Sequence, residues 1–125
     1  MSKENYLYKN LTREIIGAAM EVQKTLGCGF LESVYEESLA IEFGLRGIQF
    51  ERQKPLDVFY KQEHVKQFIC DFLVAGVVMV ELKAIKEITE PQKAQVLNYL
   101  RATNLRLGLL LNFGASSMQY KRVIN

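Results

Sequence analysis

From Leu11 onward the apolar positions repeat first with a helical period and later with the alternation of strands. Leu11, Ile15, Ala18, Val22 and Leu26 recur every three or four residues, the spacing that lines one face of a helix. Asn10 is the expected cap and Gly27 the expected end, since an Asn side chain can accept a free helix amide and glycine tolerates the left-handed exit. A second helix is predicted from about Phe30 to Leu45, with Glu32, Tyr35, Leu39 and Phe43 on one face. An acid on a stripe of large apolar groups is expected to look inward, whereas Glu36, Glu37 and Glu42 read as the ordinary outer face.

Strands are predicted at about Gln49 to Tyr60, His64 to Val74 and Val77 to Ala84, turning around Lys61-Gln62 and at Ala75-Gly76. Gly76 favours the second turn because it accepts positive φ, and the flanking Val, Ile, Phe and Leu favour pairing. Thr89-Glu90-Pro91-Gln92 resembles a helix start, with Thr89 as cap and Gln92 three residues on, and that helix runs to about Ala102. Arg106 to Phe113 is an apolar run suited to a central strand, and Gln119 to Ile124 can add an edge strand. A helix linking Val77–Ala84 to Arg106–Phe113 makes those two strands candidates for parallel neighbours. The expected architecture is therefore α/β (mixed α+β): order α-α-β-β-β-α-β, with a central mixed sheet of four to five strands flanked by helices.

Composition narrows this little further. A chain of 125 residues with 49% hydrophobic content suits one domain across residues 1–125, with residues 1–9 as a flexible N-terminus. The first residues carry no apolar signal core, and Asp71 and Glu81 interrupt the longest apolar run, so the expectation is a soluble, cytoplasmic protein with no membrane partner. Cys28 and Cys70 lack zinc-ligand spacing and read as reduced thiols, and His64, near a turn, reads as an exposed polar residue.

The chemistry concentrates between Phe68 and Lys83, where Asp71, Glu81 and Lys83 sit inside an apolar hairpin. Burying a carboxylate costs several kcal/mol, about what pairing or a metal must offset. Folding at Ala75-Gly76 brings Asp71 opposite Val80 or Glu81, according to whether the loop has two or three residues. In either register the two carboxylates are close enough to grip one cation, and alternation puts Glu81 and Lys83 on one face. A plain salt bridge of either acid with Lys83 is the competing explanation. Net charge is only +2; of 16 basic and 14 acidic residues, setting aside Lys83 and the acids Glu32, Asp71 and Glu81 leaves 15 and 11. Phosphate binding is permitted by that excess, with Arg52, Lys54, Lys61, Lys66, Lys86, Lys93, Arg101 and Arg106 as candidates to rim a groove.

These residues resemble the PD-(D/E)xK nuclease superfamily, and in particular its small group defined by a Gly-x-x-Glu-x-x-Tyr motif (GxxExxY), here Gly29-Phe30-Leu31-Glu32-Ser33-Val34-Tyr35. The similarity spans about Leu11 to Val123 and includes Gln53-Lys54-Pro55-Leu56, Asp71, Glu81-Leu82-Lys83, Gln95-Val96-Leu97-Asn98-Tyr99 and Leu109 to Gly114, with Cys70 where the superfamily's name has proline. The resemblance implies a restriction-endonuclease-like core in which Asp71, Glu81 and Glu32, with the Leu82 carbonyl, bind a divalent metal while Lys83 orients or activates water. It also implies that Gln95, Tyr99 and Tyr35 support the site or contact substrate. Hard oxygen ligands suit magnesium or manganese. The expected activity is metal-dependent hydrolysis of phosphodiester bonds, in DNA rather than RNA; the alternative is a nucleic-acid-binding or regulatory protein of the same fold with little or no catalysis. A homodimer, or two successive events, would serve to cut both strands of a duplex.

Overall fold

The structure, a computed structural model, describes residues 7–125. Within them, three helices and five strands follow the order α1 (Lys9–Leu26), α2 (Glu32–Leu45), β1 (Phe50–Tyr60), β2 (Glu63–Val74), β3 (Val78–Lys83), α3 (Glu90–Thr103), β4 (Leu107–Asn112) and β5 (Gln119–Ile124). The strands form one sheet in the order β1-β2-β3-β4-β5. Only β3 and β4 are parallel, and α3 makes the connection between them. The expected mixed sheet is present with its fifth strand included.

Helices cover both faces. Ile15, Ala18, Ala19 and Val22 of α1 and Tyr35, Leu39 and Phe43 of α2 pack on Phe72, Val74, Val78, Val80, Leu82, Leu107, Leu109 and Leu111. On the opposite face Val96 and Leu100 of α3 pack with Cys70, Leu73, Met79 and Leu110. Every residue of β4 is buried, which is why its sequence is an unbroken apolar run rather than an alternating one. The α3 helix can lie this close to the sheet because position 108 is glycine: a Cβ there would come within 2.5 Å of Val96 Cγ1 and 3.3 Å of Leu100 Cδ1.

Helix boundaries shift where tertiary contacts outweigh local signals. The α1 cap is Tyr8, with φ of 51°, not Asn10, which lies inside the helix. Arg122 on β5 explains the earlier start, since it donates to the Leu7 carbonyl and to Thr12 Oγ1, both at 2.8 Å, and so ties the helix entry to the sheet. Of the expected flexible segment 1–9, residues 1–6 lie outside the described residues, Leu7 and Tyr8 form the turn into α1, and Lys9 is its first residue. Gly27 ends α1 with φ of 76°. The α3 start matches its sequence signature, with Gln92 Oε1 accepting from the Thr89 amide at 2.7 Å and from its hydroxyl at 2.6 Å.

The β1–β2 hairpin turns at Lys61 and Gln62, both with positive φ, and the β2–β3 hairpin at Ala75-Gly76-Val77. Its first two residues also have positive φ. Three loop residues set Val74 against Val78, Leu73 against Met79 and Phe72 against Val80. The next pair in that register is Asp71 and Glu81.

Candidate active site

Regular pairing of β2 with β3 stops at Phe72 and Val80, and the two acids take over the amides that the ladder leaves. Asp71 Oδ2 accepts from the Leu82 amide at 2.8 Å, and Glu81 Oε1 accepts from the Asp71 amide at 3.4 Å. Each carboxylate thus reaches across to the other strand's backbone. The polar groups are satisfied in a place where an ordinary ladder would have hidden two charges, and among the described residues no buried side-chain N or O lacks a partner.

Of the two acids, Glu81 is the one whose ionisation this setting opposes. Burial first, and then the negative charge of Asp71, push the Glu81 carboxyl up to about 8; the Asp71 amide and the positive charge of Lys83 oppose the rise. Glu32, the first residue of α2, feels the same group of charges. Its carboxyl is raised by desolvation, lowered by Lys83 and raised again by Asp71 and Glu36. The residue as a whole is exposed, unlike Tyr35, Leu39 and Phe43 behind it, because it stands at the helix tip, past the end of the covered stripe, yet its carboxyl is partly desolvated and within range of the charges of Lys83 and Asp71. Lys83 is half-buried and makes no direct ion pair with a carboxylate among the described residues, contrary to the plain salt-bridge explanation.

Asp71, Glu81 and Lys83 are therefore brought together, with Glu32 at longer electrostatic range. Among the described residues no three acidic, histidine or cysteine side chains stand close enough to hold a metal ion. The donor set nevertheless fits a hard dication: two carboxylates, one of them desolvated and facing the charge of the other, are hard oxygen donors whose charge such an ion relieves. The Leu82 atom engaged here is its amide nitrogen.

The remaining expected residues occupy other settings. Tyr35 is fully buried, stacks on Phe113 with ring centroids 4.7 Å apart, donates to the Gly27 carbonyl at 2.7 Å and accepts from the Phe30 amide at 3.3 Å. It thereby folds the α1–α2 loop that leads into Glu32. Tyr99 stacks on Phe68 of β2 at 3.8 Å and accepts a hydrogen bond from Gln95 at 3.1 Å. Burial pushes the Cys70 thiol up to about 12, with the charges of Glu81 and Asp71 adding to the rise.

Several residues around the site escape notice in the sequence. Asn112, fully buried beside Lys83 in the β3–β4 register, accepts from the amides of Ile85 and Gly114, both at 3.0 Å, and donates to Gln119 Oε1 at 3.0 Å. Gln119 in turn accepts from the Ile88 amide at 2.9 Å. This network holds the backbone that leaves Lys83; a polar residue inside the run Leu107 to Phe113 was the available signal. Glu36 and Glu37 are not a plain solvated face, because Arg52 reaches Glu36 at 2.7 Å and Glu37 at 2.6 Å. Arg52, with Lys54 on Glu51 and Lys93 on Glu90, is consequently committed to carboxylates rather than free to rim a groove. Two surface hollows, one of about 500 Å³ lined by Ile48, Phe50 and Leu73 and one of about 510 Å³ beside Met20 and Met118, do not include the acid pair.

The geometry is that of a mixed sheet between helices, with an acid pair split across a β-hairpin and a lysine two residues on. The sequence matches the family described as the PD-(D/E)XK nuclease superfamily over residues 9–123, and the chain belongs to that superfamily. No curated protein matches it significantly. Among solved structures it is similar to the crystal structure of SSO0001, with a TM-score of 0.57 and 12% sequence identity. That similarity covers 96% of this chain and 61% of the other, so this chain spans less than two thirds of its structural relative. At that identity the likeness concerns the fold, which is restriction-endonuclease-like. Among the described residues no helix is long and apolar enough to cross a membrane.

Proposed function

We propose that the protein is a magnesium- or manganese-dependent nuclease of the GxxExxY kind that hydrolyses phosphodiester bonds in DNA, acting in the cytoplasm. The observation that carries this reading is the Asp71–Glu81 pair, interlocked at the point where the hairpin ladder ends, with Lys83 beside it and unpaired by either acid. Asp71 and Glu81 would hold the ion, with Glu32 and the Leu82 carbonyl as further oxygen donors. A bound dication supplies Lewis acidity and charge neutralisation for phosphate chemistry. The Lys83 ammonium, without a carboxylate partner among the described residues, is available to hold a water and to stabilise negative charge developing on phosphate oxygens. Gln95 and Tyr99 present a polar edge on α3 for the substrate strand, and Tyr35 keeps Glu32's helix start in place.

The second reading, nucleic-acid binding with little turnover, is favoured by one observation: the three acids are not gathered into a single cluster among the described residues. Incubation with single- and double-stranded DNA and RNA, with magnesium, manganese or chelator, separates the two. The nuclease reading expects products that require metal and disappear in Glu81→Ala. Lys83→Ala should keep metal binding and lose about 10²-fold or more in rate. Binding to nucleic acid without products under any condition would leave the second reading standing.

A further inference from the structure

We infer that Gln53 is a positioning residue: its left-handed backbone turns β1 and β2 over together, and that inversion aims Asp71 at the β3 amide. The inference rests on the reading above in assigning Asp71 to the site, and it adds a residue on a different strand that sets the acid's direction.

Side chains two apart on a strand ordinarily share a face. In β2 they do not: Phe72 packs in the core under α1 and α2, whereas Cys70 packs in the core under α3. β1 changes face at the same level. Phe50 packs with the α1–α2 core and Arg52 bonds Glu36 and Glu37 of α2, while Leu56 packs against the α3 core. The β1–β2 register runs through Arg52–Phe72 and resumes at Lys54–Cys70, skipping the pair formed by Gln53 and Asp71. Gln53 there has φ of 51°, a region that favours glycine, and its side-chain amide donates to Glu36 Oε1. With Arg52 bonded to the same carboxylate, α2 holds β1 at the inversion and at the residue before it. Asp71, on the pivot, points along neither face but across to the Leu82 amide at 2.8 Å. A residue that rejected positive φ would restore regular pairing at this level and return Asp71 to one face of the sheet.

The test compares Gln53→Gly, Gln53→Ala and Gln53→Val, which find the left-handed conformation progressively harder to adopt. The reporter in the metal-free protein is the Leu82 amide, followed by its NMR shift and hydrogen exchange, with the Leu109 and Leu111 amides of β4 as internal controls. The expected result is a wild-type-like Leu82 signal in Gln53→Gly, a weakened one in Gln53→Ala and loss of the Asp71 bond in Gln53→Val, with β4 unchanged. Manganese affinity should follow the same order, within about threefold of wild type for glycine and down about 10- to 100-fold for valine. Should the valine variant fail to fold, the glycine–alanine comparison decides: equal Leu82 signals in those two overturn the inference, as does a valine variant with an intact Leu82 bond. A wild-type protein that takes up no manganese would defeat the metal-site reading, and the Leu82 series would then decide the role of Gln53 alone.

Discussion

Glu81 ties stability to pH in a direction opposite to that of most surface acids. Its folded-state value of about 8 lies above the ordinary value of 4.5, so between those limits the folded protein binds more protons than the unfolded chain and stability falls as pH rises. The stabilisation is fully present below about 4.5 and lost as pH climbs through 8, an effect on the order of a few kcal/mol. Glu81→Gln should flatten the denaturation midpoint between pH 5 and about 8.5 and leave the variant more stable than wild type at the alkaline end; a wild-type midpoint independent of pH would contradict the assigned burial. Cysteine reactivity should divide in the same residue-specific way. Cys28 is exposed and Cys70 is buried, with its thiol raised to about 12, so a thiol reagent should label one site in the native protein and two after unfolding.

At the level of elements, the segment after β3 depends on close backbone contact. A Cβ at Gly114 would fall within 2.6 Å of the Ala84 carbonyl carbon and closer still to the Ile85 backbone. Gly114→Ala should therefore cost about 1–3 kcal/mol in chemical denaturation. Asn112→Ala, which strands the Ile85 and Gly114 amides, should cost a similar amount, about 1–3 kcal/mol. At the β1–β2 turn, replacing Gln62 (φ of 72°) by glycine should stabilise by roughly 1 kcal/mol. The elements themselves were readable because each carries a strong local pattern: the Leu11–Leu26 stripe, the Thr89–Gln92 start and the apolar run of β4 all appear where the sequence places them. Asn10 misled because Arg122, far along the chain, fixes the α1 entry. The apposition of Asp71 and Glu81 was legible from hairpin arithmetic once a three-residue loop is allowed. The inversion at Gln53, the Asn112–Gln119 network and the commitment of Arg52 were not, because each joins elements distant in sequence through a polar contact that leaves no periodic trace.

For the molecule as a whole, the acid pair sits at the end of a hairpin ladder, between a sheet core covered by helices and a β1–β2 ribbon whose outer part is almost wholly exposed. A dication gripped there should stabilise the whole fold. At a hundredfold excess over its dissociation constant, manganese is expected to add about 2.7 kcal/mol and raise the melting midpoint by roughly 10 °C. Asp71→Ala should abolish that rise; its persistence in both Asp71→Ala and Glu81→Ala would place the ion elsewhere.

The strand order β1-β2-β3-β4-β5 places every pair of neighbours in the sheet next to one another in the chain as well. A polypeptide growing on a ribosome can therefore add each strand to one already emerged, with no place held open for a later arrival. Asp71 and Glu81 lie on two such consecutive strands, so the hairpin that carries both acids is synthesised before β4, the parallel neighbour of β3, exists.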